Sequence, residues 1–377
     1  MPAAIYLDDN AASPLRPAAR AAMLAALDLA GNPSSVHRFG RAARRVVEDA
    51  RVQVAAAIGA PPPGVVFTSG GTEALALAVV GSGRRRAIVS AVEHDAVLAA
   101  ARALPACEEM AVDAEGVADL AALDRLLGDD ASDTIVCLML ANNETGALQP
   151  VADAAKLAHA RGALVLCDAI AAAGRVRCDM TDLGVDMIAL SSAKLGGPLG
   201  VGALALRRGL DIAPLIAGGG QERRRRGGTE NLPGIAGFGA AAAAAGDSLA
   251  DQARIAAMRD ALEAGVLALA PTARIFAKGA PRLAGTSCLT MPGVSNETQV
   301  MAFDLAGIAV SAGAACSSGK VGASHVLKAM GVPEGEAASA IRVSLGWRNV
   351  ESDVETFLSA WSAIYARAAQ THRNTAA

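Results

Sequence analysis

The sequence predicts an α/β fold: a large domain built on a mostly parallel central sheet flanked by helices, plus a smaller α+β domain toward the C-terminus. Three observations carry that expectation. Short apolar runs alternate with alanine-rich, helix-length stretches from about residue 64 to residue 206, the pattern of strands that need helical crossovers. The runs are continuous rather than alternating, as expected for strands covered on both faces. And 377 residues exceed what a single hydrophobic core usually holds.

Taken in order, the strands fall at 65–68, 87–90, 134–140, 163–167, 187–190 and 201–206. A helical stretch over 235–268 bridges to the second domain. Beyond it come a strand at 286–291, a helix near 297–305, a loop around Cys316, a strand at 341–345 and an amphipathic closing helix over 350–368. The division expected is 15–260 for the large domain, with 1–14 and 261–377 forming the small one. Hydrophobic residues make up 53% of the chain but aromatics only 3%, so small side chains fill the core and helices approach closely.

A net charge of −3 argues against nucleic acid or an anionic membrane as the main partner. The start of the chain has no basic segment followed by an apolar one, so no secretion signal is expected. No uncharged run is long enough to span a membrane. The six cysteines show no C-x-x-C spacing, and Cys137 and Cys167, inside apolar runs, read as small hydrophobes. A reducing, cytoplasmic setting fits.

In open parallel sheets ligands bind beyond the carboxyl ends of the strands. There the sequence places Ser69-Gly70-Gly71-Thr72, Glu93-His94, Asn142-Asn143-Glu144, Asp168 and Ser191-Ser192-Ala193-Lys194. Hydroxyls, an imidazole, amides, carboxylates and an amine on one rim point to a shared site. The 68–73 turn has the form of a phosphate seat, glycine amides at a helix N-terminus, or of an ordinary glycine turn with a helix cap. Asp168 can pair with a protonated pyridine nitrogen or cap the next helix. Lys194 can form an imine or stand solvated in its Gly-rich loop. His94 can stack on a cofactor ring and pass protons, or cap a surface helix. Asn143 can bind a substrate or a cofactor hydroxyl, or belong to a simple turn. Arg342, a charge inside a strand pattern, needs a partner: a substrate carboxylate held in bidentate fashion, or a structural ion pair. Cys316 sits among small residues in Ser311-Ala-Gly-Ala-Ala-Cys316-Ser-Ser-Gly319, a segment composed to move, with a thiol able to act as a carrier nucleophile.

Together these residues resemble the cysteine desulfurases of the NifS/IscS type, within the class V aminotransferase family. The resemblance runs through Tyr6–Pro14, Gly31–Gly40, Thr68–Glu73, Glu93-His94, Asn142–Gly146, Asp168-Ala169, Lys194, Gly218–Arg223, Arg226–Asn231, Ser311–Lys320 and Ile341–Gly346. It implies a type I pyridoxal-phosphate transferase fold and a homodimer. Lys194 would hold pyridoxal 5′-phosphate through a Schiff base, Asp168 would pair with the ring nitrogen and His94 would stack on the ring. Gly71, Thr72 and Ser191 would take the phosphate, joined by Thr229 of the neighbouring subunit. Asn143 would lie near the cofactor hydroxyl, while Asn32 and Arg342 would hold the carboxylate of L-cysteine. Cys316 would take the sulfur as a persulfide, helped to its thiolate by the site or by His94, and release alanine.

The same resemblance implies transfer of that sulfur to an acceptor or iron–sulfur scaffold protein, and Cys316 as a transient cluster ligand there; no resident metal is implied. The basic run Arg223–Arg226 would then lie near the subunit boundary, as a dock for an acidic partner or as a solvated face.

Two positions depart from the family pattern. Ala171 stands where Gln usually meets the cofactor's phenolic oxygen, and Ala193 where His usually meets its phosphate. Each lost hydrogen bond costs ~1–3 kcal/mol where its partner stays buried. The alternatives to a working desulfurase are therefore a weakened or non-catalytic paralogue serving as a binding subunit, and a related enzyme with another substrate such as selenocysteine.

Overall fold

The computed structural model describes residues 4–313 and 324–375. The Cys316 nucleophile expected above lies outside the described residues.

After a short β1 (Ile5–Tyr6), seven strands form the main sheet: β2 (Val65–Thr68), β3 (Arg86–Ser90), β4 (Ala106–Met110), β5 (Thr134–Met139), β6 (Leu164–Asp168), β7 (Met187–Ser191) and β8 (Gly202–Leu206). Their order is β2-β8-β7-β6-β5-β3-β4. Strands β3 to β7 pair in parallel, and β8 runs antiparallel to both β7 and β2. The mostly parallel sheet expected from the sequence is present. Strand β4 was not anticipated: its Glu108 and Glu109 break the apolar pattern, which suits a strand at the sheet edge, where charge discourages further pairing.

Successive residues of the central strands serve opposite cores. Ile135 and Cys137 pack on one face with Leu75 and Val97, whereas Val136 and Leu138 pack on the other with Val47 and Phe238. The first face is covered by α3 (Gly71–Gly81) and α4 (Asp95–Arg102). The second is covered in part by α2 (Arg38–Ala57) and the helix Leu232–Asp247, while α1 (Pro17–Leu27) also packs along that helix. Along α2 the buried Ala43, Val47, Ala50 and Val54 recur at helical spacing. The alanine-rich composition has the expected consequence: a Cβ added at Gly239 would come within 2.6 Å of the Ala50 Cα.

The bridging helix is two helices. Leu232–Asp247 and Gln252–Leu269 are separated by a tight turn at Ser248–Asp251. The run Gly246-Asp247-Ser248 accounts for the break, since none of the three favours a helix interior. The rest of the chain forms a small antiparallel sheet, β12-β10-β9, from β9 (Ile275–Phe276), β10 (Thr286–Thr290) and β12 (Ala340–Ser344). Beside it β1 pairs in parallel with β11 (Ile308–Ala309). Leu7, Ile255, Met258, Phe303, Phe357 and Trp361 fill this second core, with Phe303 and Phe357 stacked at 5.0 Å. The closing helix spans Glu351–Thr375.

One connection is strained. Glu222, Arg223 and Arg224 follow one another with φ of 44°, 57° and 68°, a left-handed stretch that costs side-chain-bearing residues about 1 kcal/mol or more each. Glu222 is held there by a buried two-point pair with Arg51, at 2.7 and 2.9 Å. Arg224 is exposed and forms no ion pair among the described residues. Replacing Arg224 by Gly is therefore expected to raise stability by about 1 kcal/mol, read as an upward shift of the denaturant midpoint; a downward shift would show that the Arg224 side chain supports the turn.

Candidate active site

At the carboxyl ends of the parallel strands the fold leaves a cavity of about 350 Å³. Gly71 and Thr72 enter its wall from the first turn of α3, after β2. His94 enters from the cap of α4, Asp168 from the last position of β6, and Ser191 and Lys194 from the end of β7 and the turn after it. Asn143 comes from the loop after β5, and Arg342 from β12 of the small sheet. Eight residues singled out in the sequence thus line one space. It adjoins a wider chamber of about 690 Å³, and His94, Asn143 and Gly313 border both.

The close approaches are built from the backbone upward. A Cβ at Gly71 would come within 2.3 Å of Ile170 Cδ1, so a larger residue there would have to displace the Ile170 side chain where helix, strand and cavity meet. The Asn142 side chain forms the turn, accepting from the amides of Glu144 and Thr145 at 2.9 Å each, and this leaves Asn143 to the cavity. The Asn143 carbonyl accepts from Asn10 Nδ2 and from Arg342 Nη1, both at 3.0 Å. Arg342 also pairs with Asp8 at 2.7 Å. The structural ion pair weighed for this arginine is thus present, while its Nε has no partner among the described residues.

Burial sets the charges. Asp168 is pushed up to about 6 by burial, only partly offset by the Ile170 amide and the nearby Lys194 ammonium. Beside it Glu93 is fully buried, and its carboxyl is pushed well above the ordinary range by burial and by the Asp168 charge. One Glu93 oxygen accepts from the Met139 amide at 2.6 Å, and the other has no partner among the described residues. His94 is held below its ordinary value by burial, with Lys194 and His325 adding to the effect against Asp95. Its Nδ1 accepts from the Ala96 amide at 3.1 Å, so the neutral ring carries its proton on Nε2. His94 in this geometry offers a donor, and the proton-accepting role expected for it has no free lone pair. Lys194 Nζ donates to the Ala11 carbonyl.

Not every expected residue is brought here. Asn32 is exposed in the loop before α2, its side chain turned to the Ser34 amide, and does not line the cavity. Thr229 is exposed and also lies outside this chain's cavity wall. The basic run is not one open patch: Arg225 pairs with Asp211 and Arg226 with Glu73, at 2.8 and 2.9 Å. Ala171 puts a methyl group at the cavity wall, and Ala193 is nearly buried behind it. Asp8, Asn10 and Ser311, for which the sequence suggests no role, also line the wall, and Glu93, expected on the rim beside His94, is fully buried. Asp8 and Asn10 arrive from the chain's start, and a buried carboxylic acid leaves no pattern of its own.

The residues present fit pyridoxal phosphate. They offer a helix start with no side-chain cap for a phosphate, a buried carboxyl that lacks a full counter-charge, and a lysine within its electrostatic reach. The pattern of the class V aminotransferases matches residues 5–357. A cysteine desulfurase of Cereibacter sphaeroides is 43% identical over 366 residues, covering 94% of this chain and 94% of that protein. One from Klebsiella pneumoniae is 40% identical over 359 residues, 93% of this chain and 90% of that protein. Among solved structures, a NifS-like protein of Rickettsia africae superposes with a TM-score of 0.88 at 34% identity, over 96% of this chain and 99% of that one.

The Asp168 carboxyl gives a pH test on the cofactor-free protein. Unfolded, it releases its proton near its ordinary value of 3.8; folded, it keeps it to about 6. The folded state therefore binds more protons in that window, and stability falls as pH rises through it. Asp168→Asn removes the cost. The variant is expected to melt above the wild type at neutral pH and to lose that advantage near pH 4; an equal gain at both pH values would contradict the assignment.

Proposed function

The chain belongs to the class V aminotransferase family, and on that premise we propose that it is a cysteine desulfurase, converting L-cysteine to L-alanine and leaving the sulfur as a persulfide on Cys316. Pyridoxal 5′-phosphate is its cofactor. The observation that carries the reading is the meeting of Lys194, Asp168, His94 and the Gly71–Thr72 helix start in one cavity, in a chain about 40% identical to proteins named for this activity.

When bound, the cofactor supplies an electron sink that stabilises charge developing at the substrate's α-carbon. The protein's own groups do the rest. Gly71, Thr72 and Ser191 seat the phosphate, with Thr229 of a second subunit completing the seat in a homodimer. Asp168 holds the proton on the ring nitrogen; a cationic partner relieves the cost of its burial, so its ionised form is favoured once the ring is in place. His94 would cover the ring face, and it presents Nε2–H as a proton donor. Lys194 anchors the cofactor and exchanges protons with the substrate carbon. Asn143, in the cavity wall, would lie by the cofactor hydroxyl. Arg342, steadied by Asp8 and the Asn143 carbonyl, takes the substrate carboxylate.

The Cys316 thiolate then attacks the substrate sulfur. An S–S bond forms as the C–S bond breaks, and alanine leaves after protonation. The persulfide goes on to an acceptor or scaffold protein, with iron–sulfur cluster assembly as the pathway; the small residues around Cys316 suit a carrier that must reach outward.

A division into a large cofactor-binding domain (15–260) and a small one (1–14 and 261–377) that carries the Cys316 loop is supported by the two separate sets of core residues. The exposed apolar Val36 and Phe39, beside the Asn32 loop, support a second subunit. Among the described residues no helix is long and apolar enough to cross a membrane, and the five cysteines among them are all free, in keeping with a reducing, cytoplasmic setting.

The test is alanine production from L-cysteine by the purified protein with excess pyridoxal phosphate and a thiol reductant. Alanine above a Lys194→Ala control is expected. Cys316→Ala is expected to keep the cofactor and lose the product. Bound cofactor without alanine would reject cysteine as substrate, and neither cofactor nor alanine would favour a degenerate binding subunit, the outcome that Ala171 and Ala193 make worth testing.

A further inference from the structure

Strand β2 leads directly into the proposed phosphate seat, yet it lies at the sheet edge and, among the described residues, pairs only with β8. Its open side would leave backbone groups unmatched. Charged side chains close it instead. The Val65 carbonyl accepts from Arg51 at 2.7 Å, and the Phe67 amide donates to Glu222 at 2.9 Å. The Ser69 amide donates to Glu73 at 2.7 Å. Residues 65 and 67 alternate along the strand and residue 69 follows just past its end, so these three groups continue one row. Each acid in the row is gripped at two points by an arginine. Arg51 holds Glu222, and Arg226 holds Glu73 at 2.9 and 3.2 Å. Glu222 and Arg226 both come from the loop with the strained left-handed turn, which therefore stands in for a missing neighbouring strand.

The last rung matters most for chemistry. Glu73 belongs to the first turn of α3 and reaches back to the amide just before the Gly70-Gly71-Thr72 turn. On one side the Gly70 backbone packs against β8, where a Cβ added at Gly202 would come within 2.6 Å of the Gly70 carbonyl carbon, whereas a Cβ at Gly70 itself would meet nothing within 4 Å and so leaves that side of the turn open. The Gly70 carbonyl also accepts from Thr68 Oγ1 at 2.9 Å and from the Ala74 amide at 3.1 Å. Burial would raise the Glu73 carboxyl, but the hydrogen bonds from Arg226 and Ser69 outweigh it and keep the group ionised, as a charge-assisted clamp requires.

We propose that Arg226 is a positioning residue for the phosphate seat: by clamping Glu73 it fixes the turn into α3 and sets how tightly the phosphate-bearing cofactor is held. The inference rests on the reading of Gly71 and Thr72 as that seat. It also gives Arg226 a role within the subunit, apart from any surface role for the basic run.

The experiment compares two aldehydes on cofactor-free protein, pyridoxal phosphate and pyridoxal, which share the ring and differ by the phosphate. Wild type, Arg226→Ala, Arg226→Lys and Glu73→Gln are titrated with each, and competition by inorganic phosphate is measured alongside. Arg226→Ala is expected to weaken pyridoxal phosphate about tenfold, the scale of one charge-assisted hydrogen bond, and to leave pyridoxal unchanged. Inorganic phosphate should lose its ability to compete in parallel. Arg226→Lys should recover part of the loss, and Glu73→Gln, which still accepts from Ser69, should show the same selective loss to a smaller degree. Equal weakening of both aldehydes, or no weakening of either, would overturn the proposal. If Arg226→Ala does not melt cooperatively, the other two variants decide by the same ratio. A wild type that takes neither aldehyde would instead reject the cofactor reading itself, a result distinct from failure of the clamp.

Discussion

A carboxyl group buried at the end of a central parallel strand is costly unless a cation meets it. Asp168 is placed so by β6, with Ile170 donating one amide and Lys194 near enough to act on its charge. The buried Glu93 beside it adds a second acid to the same low-dielectric pocket. Two acids and one lysine make a site whose electrostatics are unfinished in the chain alone. A protonated pyridine nitrogen would supply the charge that the arrangement lacks and would tie cofactor binding to the stability of the fold.

The sheet brings the other groups to that point. Parallel strands β3, β5, β6 and β7 open at the same end, so His94, Asn143, Asp168 and Lys194 converge although up to 100 residues separate them in the chain. Arg342 comes from the small sheet, bound to Asp8 near the chain's start and to the Asn143 carbonyl of the large one. One guanidinium thus links three distant segments at the cavity wall. Such a link costs desolvation, and a buried arginine with fixed partners is oriented rather than merely charged.

Much of this was legible beforehand for physical reasons. The buried strands announced themselves because parallel strands covered on both faces are continuous apolar runs, and the polar residues that follow them could only lie on the rim. What was hidden depends on long-range contacts. Strand β4 carries Glu108 and Glu109 and reads as a loop until its edge position is known. Asp8 looks like an ordinary residue near a terminus until Arg342 is seen against it. The tautomer of His94 follows from an amide two residues away, and the basic run reads as a surface patch until Glu73 and Asp211 are found beside it. The expectation for Asn32 came from resemblance alone, and nothing in this chain's cavity wall corresponds to it.

The central claim is that Lys194 is the amine that holds the cofactor. It is one of five lysines in the chain, and among the described residues it is the one lining the cavity with Asp168. Reducing the pyridoxal-phosphate-loaded protein with borohydride makes the link permanent, and mass mapping of its peptides locates it. The account predicts the pyridoxyl phosphate mass on the peptide containing Lys194, with that mass lost in Lys194→Ala. The same mass on the peptide of Lys156, Lys278, Lys320 or Lys328, or on none, would contradict it.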